Sequence, residues 1–290
     1  MPDKTMCTLP PLSRMAERLY EPILWLCGLI GMTLPVGIIC YMLAHGIGVL
    51  SLDFIFGSLG GRPLGSAGGI GPALAGTLAL AGIGLLLAFP LGLGGALFLT
   101  EYENSSSRLC RACLAAVECM AAIPAIIYGL FGYAALVVFL GWQISLRAGA
   151  VTLALVMYPI ILIGSRAALV GVHNQYREAA LSLGVSRLYT IRRVLLPRAW
   201  PGIVSATILG FGHAASAAAP ILFTASVFFS RGDLSLNEPV MTLPTHLYFL
   251  VTEAISFPHA YGTACVLIVV MLMSNICAML ARRLGGQHRQ

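Results

Sequence analysis

Charged side chains are scarce in this 290-residue sequence: Asp, Glu, Lys and Arg make up 10% of it, and only 11 residues are acidic. Soluble domains carry about 25% charged residues, so a water-soluble globular fold is excluded. The 58% hydrophobic content and mean hydropathy of +0.89 place the chain in a bilayer. Other absences narrow the function. No G-x-x-x-x-G-K-[ST] occurs, so the chain lacks the phosphate-cradling loop that would let it hold ATP. The apolar stretches contain no H-E-x-x-H, no G-x-S-x-G and no paired carboxylates, which argues against an intramembrane enzyme. No segment is of low complexity, and no internal repeat is evident. The eight cysteines lie mostly within or beside apolar runs and read as buried thiols. Cys110-x-x-Cys113 has no His or second Cys pair at ligand spacing, so no metal site is expected.

What is present is a series of long uncharged runs. Between Glu21 and Asp53, Arg62 and Glu101, Glu118 and Arg147, Arg147 and Arg166, Arg198 and Arg231, and Glu253 and Arg282 there is no charged residue. A helix needs about 20 mostly apolar residues to cross a hydrocarbon core, so the runs predict an all-α, polytopic membrane protein with six transmembrane helices. The first run follows Lys4, Arg14 and Arg18 as a signal peptide would, but its apolar part, Pro22 to Met42, is too long and has no A-x-A cleavage site. It is expected to be retained as a first helix over 22–45, after an N-terminal segment over 1–21. Placing the N-terminus in the cytoplasm puts 14 of 17 basic residues inside and leaves Arg62, Arg147 and Arg231 outside. That asymmetry follows the positive-inside rule with both termini cytoplasmic, and it assigns the net charge of +6 to membrane topology rather than to nucleic acid.

The remaining spans are expected at about 71–99, within 112–141, at 148–169, 199–225 and 260–281. Glycines in the external stretch after the first span argue against a regular helix there. In the second span, Ala73, Gly76, Leu80 and Gly84 offer a surface another helix can approach closely. The "GLGG" after Pro90 has no preceding strand and no following Lys, so it is not read as a phosphate loop. Pro124 should break or kink the third span, with Glu118 near its start read as a first-turn residue favoured by the helix dipole or, alternatively, as an intramembrane partner. Trp142 and Trp200 fit interfacial anchors, and His246 and His259 read as external loop residues.

One segment stands apart. "YREAALSLGVSRLYTIRRVLLP", residues 176–197, gathers Arg177, Arg187, Arg192 and Arg193 between two apolar spans. "REAALSL" has good helix formers and runs into Gly184, the residue type that ends a helix in a left-handed conformation. Ser186 can cap a second short helix with Leu188, Ile191 and Leu195 on one face and Arg187, Arg192 and Arg193 on another. Two short helices at an angle would form a cytoplasmic knob. Ala179 and Ala180 leave room for a partner groove, and Glu178 can pair with a partner cation. An amphipathic loop helix held to anionic lipid fits the same composition.

The string Glu178-Ala179-Ala180, three residues, Gly184, nine residues, then Val194-Leu195-Leu196-Pro197 resembles the EAA loop of ABC importer permeases, with Val194 where that family usually has Ile. The resemblance extends over about 69–282 and narrows to phosphate-importer permeases of the PstA type. "LAGTLAL", "PLGLGGALFLTEY", "IPAIIYGLFG", "YREAALSLGV", "APILFTA" and "LPTHLY" look alike. It implies a MetI-like permease fold with a core of five transmembrane helices over 69–282 and a tail over 283–290. It further implies a bacterial inner-membrane subunit that works with a homologous second permease, two ATP-binding subunits and a periplasmic phosphate-binding protein. ATP and Mg are then used by the partner ATPase, and this chain binds no cofactor and catalyses no covalent step. Glu178, Ala179, Ala180, Gly184, Leu196 and Pro197 are the expected ATPase-coupling residues.

The sequence departs from that pattern where the family carries charge. Phosphate permeases of this type usually read R-x-x-G-E-T-A-P in the fifth span, whereas here His213, Ala217 and Ala218 stand in place of Arg, Glu and Thr, before Ala219-Pro220. A second pattern resembling R-T-T-E-E here reads Ile163-Gly164-Ser165-Arg166-Ala167. A charge at the centre of a span costs roughly 2.5–3.5 kcal/mol on insertion scales, so its loss has a functional meaning. Three accounts follow: the partner permease bears the phosphate path; His213, Ser216, Arg166 and Pro220 form a rearranged pathway site; or the solute is another one. Arg166 also fits a residue snorkelling at the cytoplasmic end. A membrane scaffold or regulator without transport is the alternative from a different class.

Overall fold

The computed structural model describes residues 11–62, 65–103, 107–227 and 234–286, with side chains from residue 20 to residue 283. Lys4, Arg231 and Arg289, which the charge count assigns to sides of the membrane, lie outside the described residues, as do Cys7 and the side chains of Arg14 and Arg18. The elements are α1 (Pro11–Gly46), α2 (Leu52–Phe56), β1 (Leu59–Gly60), β2 (Ala67–Gly68), α3 (Gly71–Leu97), α4 (Arg108–Ala122), α5 (Ala125–Gly132), α6 (Leu146–Val170), α7 (Gln175–Ser182), α8 (Arg187–Thr190), α9 (Leu196–Ala215), α10 (Ala219–Leu222), α11 (Leu243–Thr252) and α12 (Phe257–Gly286). Wider π-type turns extend α3 through Tyr102 and α5 through Phe139, and join α8 to α9 over Ile191–Leu195.

Five helices are long and apolar enough to cross a membrane, and the bent pair Arg108–Ala122 and Ala125–Phe139 brings the number to six. That pair turns by 96°. The cause is local: Pro124 forces the residue before it out of the helical region, and Ile123 and Pro124 both have extended ψ, 128° and 136°. The Tyr128 hydroxyl then donates to the Met120 carbonyl across the bend at 2.7 Å, satisfying one of the carbonyls that the break leaves free. Because Ser107 caps α4 and the helix starts at Arg108, Glu118 lies in its last turns, not in a first turn as expected.

The centre of the molecule is α3 against α6 and α6 against α9, with Leu80, Leu153, Met157, Ile161 and Ile221 fully buried between them. Gly84 and Gly92 of α3 lie directly against Ala150, Leu153 and Ile161 of α6, so the small-residue face found in the sequence does admit a helix. At Gly76 the neighbour is something else. A Cβ there would run into the carbonyl of Met241, part of an extended segment that leads into α11. The segment is held by Thr77, whose hydroxyl donates to Ala73 O at 2.7 Å and accepts from Leu243 N at 2.8 Å. Gly76→Val is therefore expected to abolish accumulation of folded, detergent-extractable chain, because rigid backbone on both sides leaves no way to absorb the side chain. Size-exclusion profiles of the solubilised variant and wild type check this.

Three further expectations are corrected. The external stretch after α1 does contain a helical turn, α2, because its five residues precede the first glycine and Ser51 caps it. The fifth span ends at Ala215, ten residues early, since Ser216–Ala218 break the helix before α10. His246 is not a loop residue on the surface: it sits in α11 with 4% of its surface exposed. Desolvation, together with the charge of His259, pushes its pKa down to about 4. The unfolded chain would hold that proton up to about 6.5, so the contribution of neutral His246 to stability is complete above that value. It is lost as pH falls towards 4, at about 1.4 kcal/mol per pH unit. A thermal midpoint that drops between pH 7 and pH 5 in wild type, and drops much less in His246→Gln, is the expected result.

Candidate functional site

The basic segment forms a compact unit on the end of the bundle where α3, α6 and α9 meet. Its helix α7 ends as the sequence predicts, with Gly184 at φ +69° and its N–H on Leu181 O at 3.0 Å. Ser186 adopts extended backbone and accepts from Tyr189 N, capping α8. The expected second short helix is not separate, because α8, the π-turn and α9 run as one helix, Arg187–Ala215. The wide turn directly precedes Pro197, whose missing N–H and ring an ordinary α-turn would not tolerate in mid-helix. The knob is thereby continuous with the fifth span.

Of the apolar face expected on α8, Ile191 and Leu195 are buried in a cluster with Leu99, Leu162, Leu169, Ala199 and Ile203, whereas Leu188 is exposed. Ala180 is buried, Glu178, Ala179, Gly184 and Pro197 are exposed, and Leu196 is half-buried. Leu181 and Leu183 are 77% and 80% exposed, an unusual state for leucines flanking a helix end. They give the knob an apolar tip.

What anchors this unit is a pair that no spacing rule could find, since its members are 76 residues apart. Arg177 meets Glu101 with Nη2 to Oε1 at 2.6 Å and Nε to Oε1 and Oε2 at 3.1 and 3.3 Å. The same guanidinium donates to the carbonyls of Leu169 at 3.1 Å and Val172 at 3.0 Å and to Asn174 Oδ1 at 3.2 Å. These carbonyls lie at the C-terminal end of α6, where orphan acceptors and the helix dipole favour a cation. Glu101 is 8% exposed and Arg177 21%. One side chain thus ties the end of the second span, the end of the fourth and the start of α7 together. Two stacked arginines reinforce it: Arg198 lies 3.6 Å over the Tyr176 ring and Arg187 5.6 Å over Tyr102. The only sequence hint was a lone acid closing an otherwise uncharged run.

The residues named for a solute path are partly assembled. His213 is exposed on the last turn of α9, and Ser216 Oγ donates to its carbonyl at 2.9 Å. With Arg198, Gly202, Ser205 and Leu209 they follow the 3.6-residue period, so one face of α9 runs from the knob to the break. Pro220 lies beyond that break, buried, where Gly129 of α5 packs against the backbone of Ala219 and Pro220. The helix breaks at Pro124 and at 216–218 therefore support each other. Arg166 does not join this group. Gly164 touches Ala206 and Gly202 touches Ala168, which sets Arg166 level with residues 202–206, about two helical turns from His213. Its Nε is buried without a hydrogen-bond partner among the described residues. Among those residues no cluster of His, Cys, Asp or Glu could hold a metal ion.

A family model described as binding-protein-dependent transport system inner membrane component matches residues 88–286. The phosphate transport system permease protein PstA 1 of Mycobacterium tuberculosis is 34% identical over 226 residues, 77% of this chain and 73% of that protein. A probable ABC transporter permease protein of Bacillus subtilis, YqgI, is 29% identical over 282 residues, 91% and 94% of the two chains. Among solved structures, inward-facing conformations of the MetNI methionine ABC transporter match with a TM-score of 0.61 and 21% identity, over 72% of this chain and 93% of that one.

Proposed function

Because the chain belongs to the family of binding-protein-dependent transport system inner membrane components, a multi-pass ABC importer permease rather than an enzyme, we propose that the solute it helps to import is inorganic phosphate. The observation that supports this solute is the 34% identity to a phosphate transport permease across the segment that holds both helix breaks and the knob. On this reading a second, homologous permease completes the path, and the charges missing at His213 and Ala217 are supplied from the partner's side. A periplasmic phosphate-binding protein delivers the anion. Both termini and the knob face the cytoplasm, where two ATP-binding subunits use ATP and Mg.

The knob's geometry fits the role of a lever. Leu181 and Leu183 offer an apolar tip for a groove, Ala179 keeps the approach open, and Glu178 is free to meet a partner cation. Closure of the nucleotide-bound ATPase pair pushes this tip, and the unbroken helix from Arg187 to Ala215 carries the push to the break before α10. Nucleotide and solute each favour one of two arrangements, which is the requirement for coupling. The test is uptake of radiolabelled phosphate into proteoliposomes that hold the assembled complex, with and without ATP, in competition with arsenate, sulfate and molybdate. ATP-dependent uptake blocked by arsenate alone is expected; an assembled complex that hydrolyses ATP without moving phosphate would assign the chain another solute or a regulatory role.

A further inference from the structure

A cavity of about 490 Å³ opens between α6, α9 and the end of α12. Gly164, Ala168 and Gly202 are among its apolar lining, and its polar lining consists of Arg198, Ser205 and Arg282. No carboxylate lines it. Ser205 is only 3% exposed, and its hydroxyl has no hydrogen-bond partner among the described residues. That hydroxyl is not among the fully buried unpaired atoms, so it opens onto the cavity, and two guanidiniums around one space repel each other unless something negative lies between them. Tyr176 holds Arg198 by the face of its guanidinium, which leaves the N–H edges available. Neither Arg198 nor Arg282 makes an ion pair among the described residues.

We infer that this cavity is a binding site for a phosphate-class oxyanion, with Arg198 and Arg282 contributing charge-assisted hydrogen bonds and Ser205 a hydroxyl. The volume is ample for a tetrahedral oxyanion with its water or for a phospholipid headgroup. The source is accordingly either free inorganic phosphate or the phosphodiester of an anionic lipid. The assignment stands apart from the choice of transported solute, because it concerns binding to this chain alone.

The test uses the full chain purified in a maltoside detergent, a medium without phosphate groups. One arm measures equilibrium binding of radiolabelled inorganic phosphate, and the other measures retention of phosphatidylglycerol by native mass spectrometry. Wild type is compared with Arg198→Gln/Arg282→Gln, with Ser205→Ala, and with Arg108→Gln/Arg111→Gln, which removes the same charge from α4 outside the cavity. One of the two ligands is expected to bind wild type and the α4 variant equally, and the Arg198/Arg282 variant roughly a hundredfold more weakly or worse, as the loss of two charge-assisted contacts implies. Ser205→Ala, the mildest change and the safeguard should the double variant misfold, is expected to weaken binding about threefold to tenfold. Phosphate binding without lipid retention identifies a free-anion site, and the converse a lipid site. The proposal is overturned if neither ligand distinguishes wild type from Ser205→Ala and the double variant, or if the α4 control loses as much.

Discussion

Glu101→Ala is expected to lower the stability of the solubilised protein by about 3 kcal/mol, the range for breaking a buried pair by removing one member. Most of that loss comes from what remains. Arg177 stays four-fifths buried against the carbonyls of Leu169 and Val172, its positive charge no longer offset by a carboxylate. Two responses are open to it: the guanidinium swings into water and releases α7, or it stays and strains the end of α6. In either case the knob loses its fixed angle to the second and fourth spans, so ATP hydrolysis by the assembled complex should persist while uptake falls. Glu101→Gln keeps the shape and one acceptor, and should lie between. The paired exchange Glu101→Arg/Arg177→Glu should recover part of the loss, because the contact is a charge pair. Thermal midpoints and the ratio of solute moved to ATP hydrolysed read both effects. A Glu101→Ala protein within about 0.5 kcal/mol of wild type would show that the pair is solvated and not an anchor.

The second large effect is expected at Gly184. A Cβ at this position meets nothing within 4 Å, so the cost of substitution is purely conformational. At φ +69° a β-branched residue loses about 1–2 kcal/mol relative to glycine. Each 1.4 kcal/mol is tenfold in population, so Gly184→Val should leave the docked geometry of the knob roughly tenfold less populated while the spans insert normally. Uptake should fall while ATP hydrolysis continues. Gly184→Asn, which tolerates the left-handed region, should restore most of the coupling. Normal uptake by a Gly184→Val complex would remove the knob's assignment as the coupling element. The two substitutions probe different joints: Glu101 fixes the knob to the bundle, and Gly184 sets the angle between α7 and α8.

How far the site could be read in advance depended on distance along the chain. Gly184, Ser186 and the break at Pro124 were legible because each acts on its immediate neighbours: a left-handed residue, a hydroxyl three residues before an N–H, a ring that excludes the preceding helical conformation. The continuation of α8 into α9 was not legible, because Pro197 signals a boundary unless a wide turn precedes it. The burial of His246 was hidden for another reason. Its apolar segment, ten residues long, is too short to span a membrane and so reads as a connection, and only the fit of Met241 against Gly76 and the Thr77 hydroxyl draws it inside.

By itself the sequence determined a polytopic helical protein, the approximate spans and the basic knob with its terminating glycine, since hydrophobic length and turn chemistry are local properties. Only the tertiary structure decided that Arg177 belongs to Glu101, that Arg166 stands two turns from His213, and that Arg198, Ser205 and Arg282 share one cavity. Those relations depend on which faces of α3, α6, α9 and α12 meet, and that choice is made by close packing of small residues across the whole bundle.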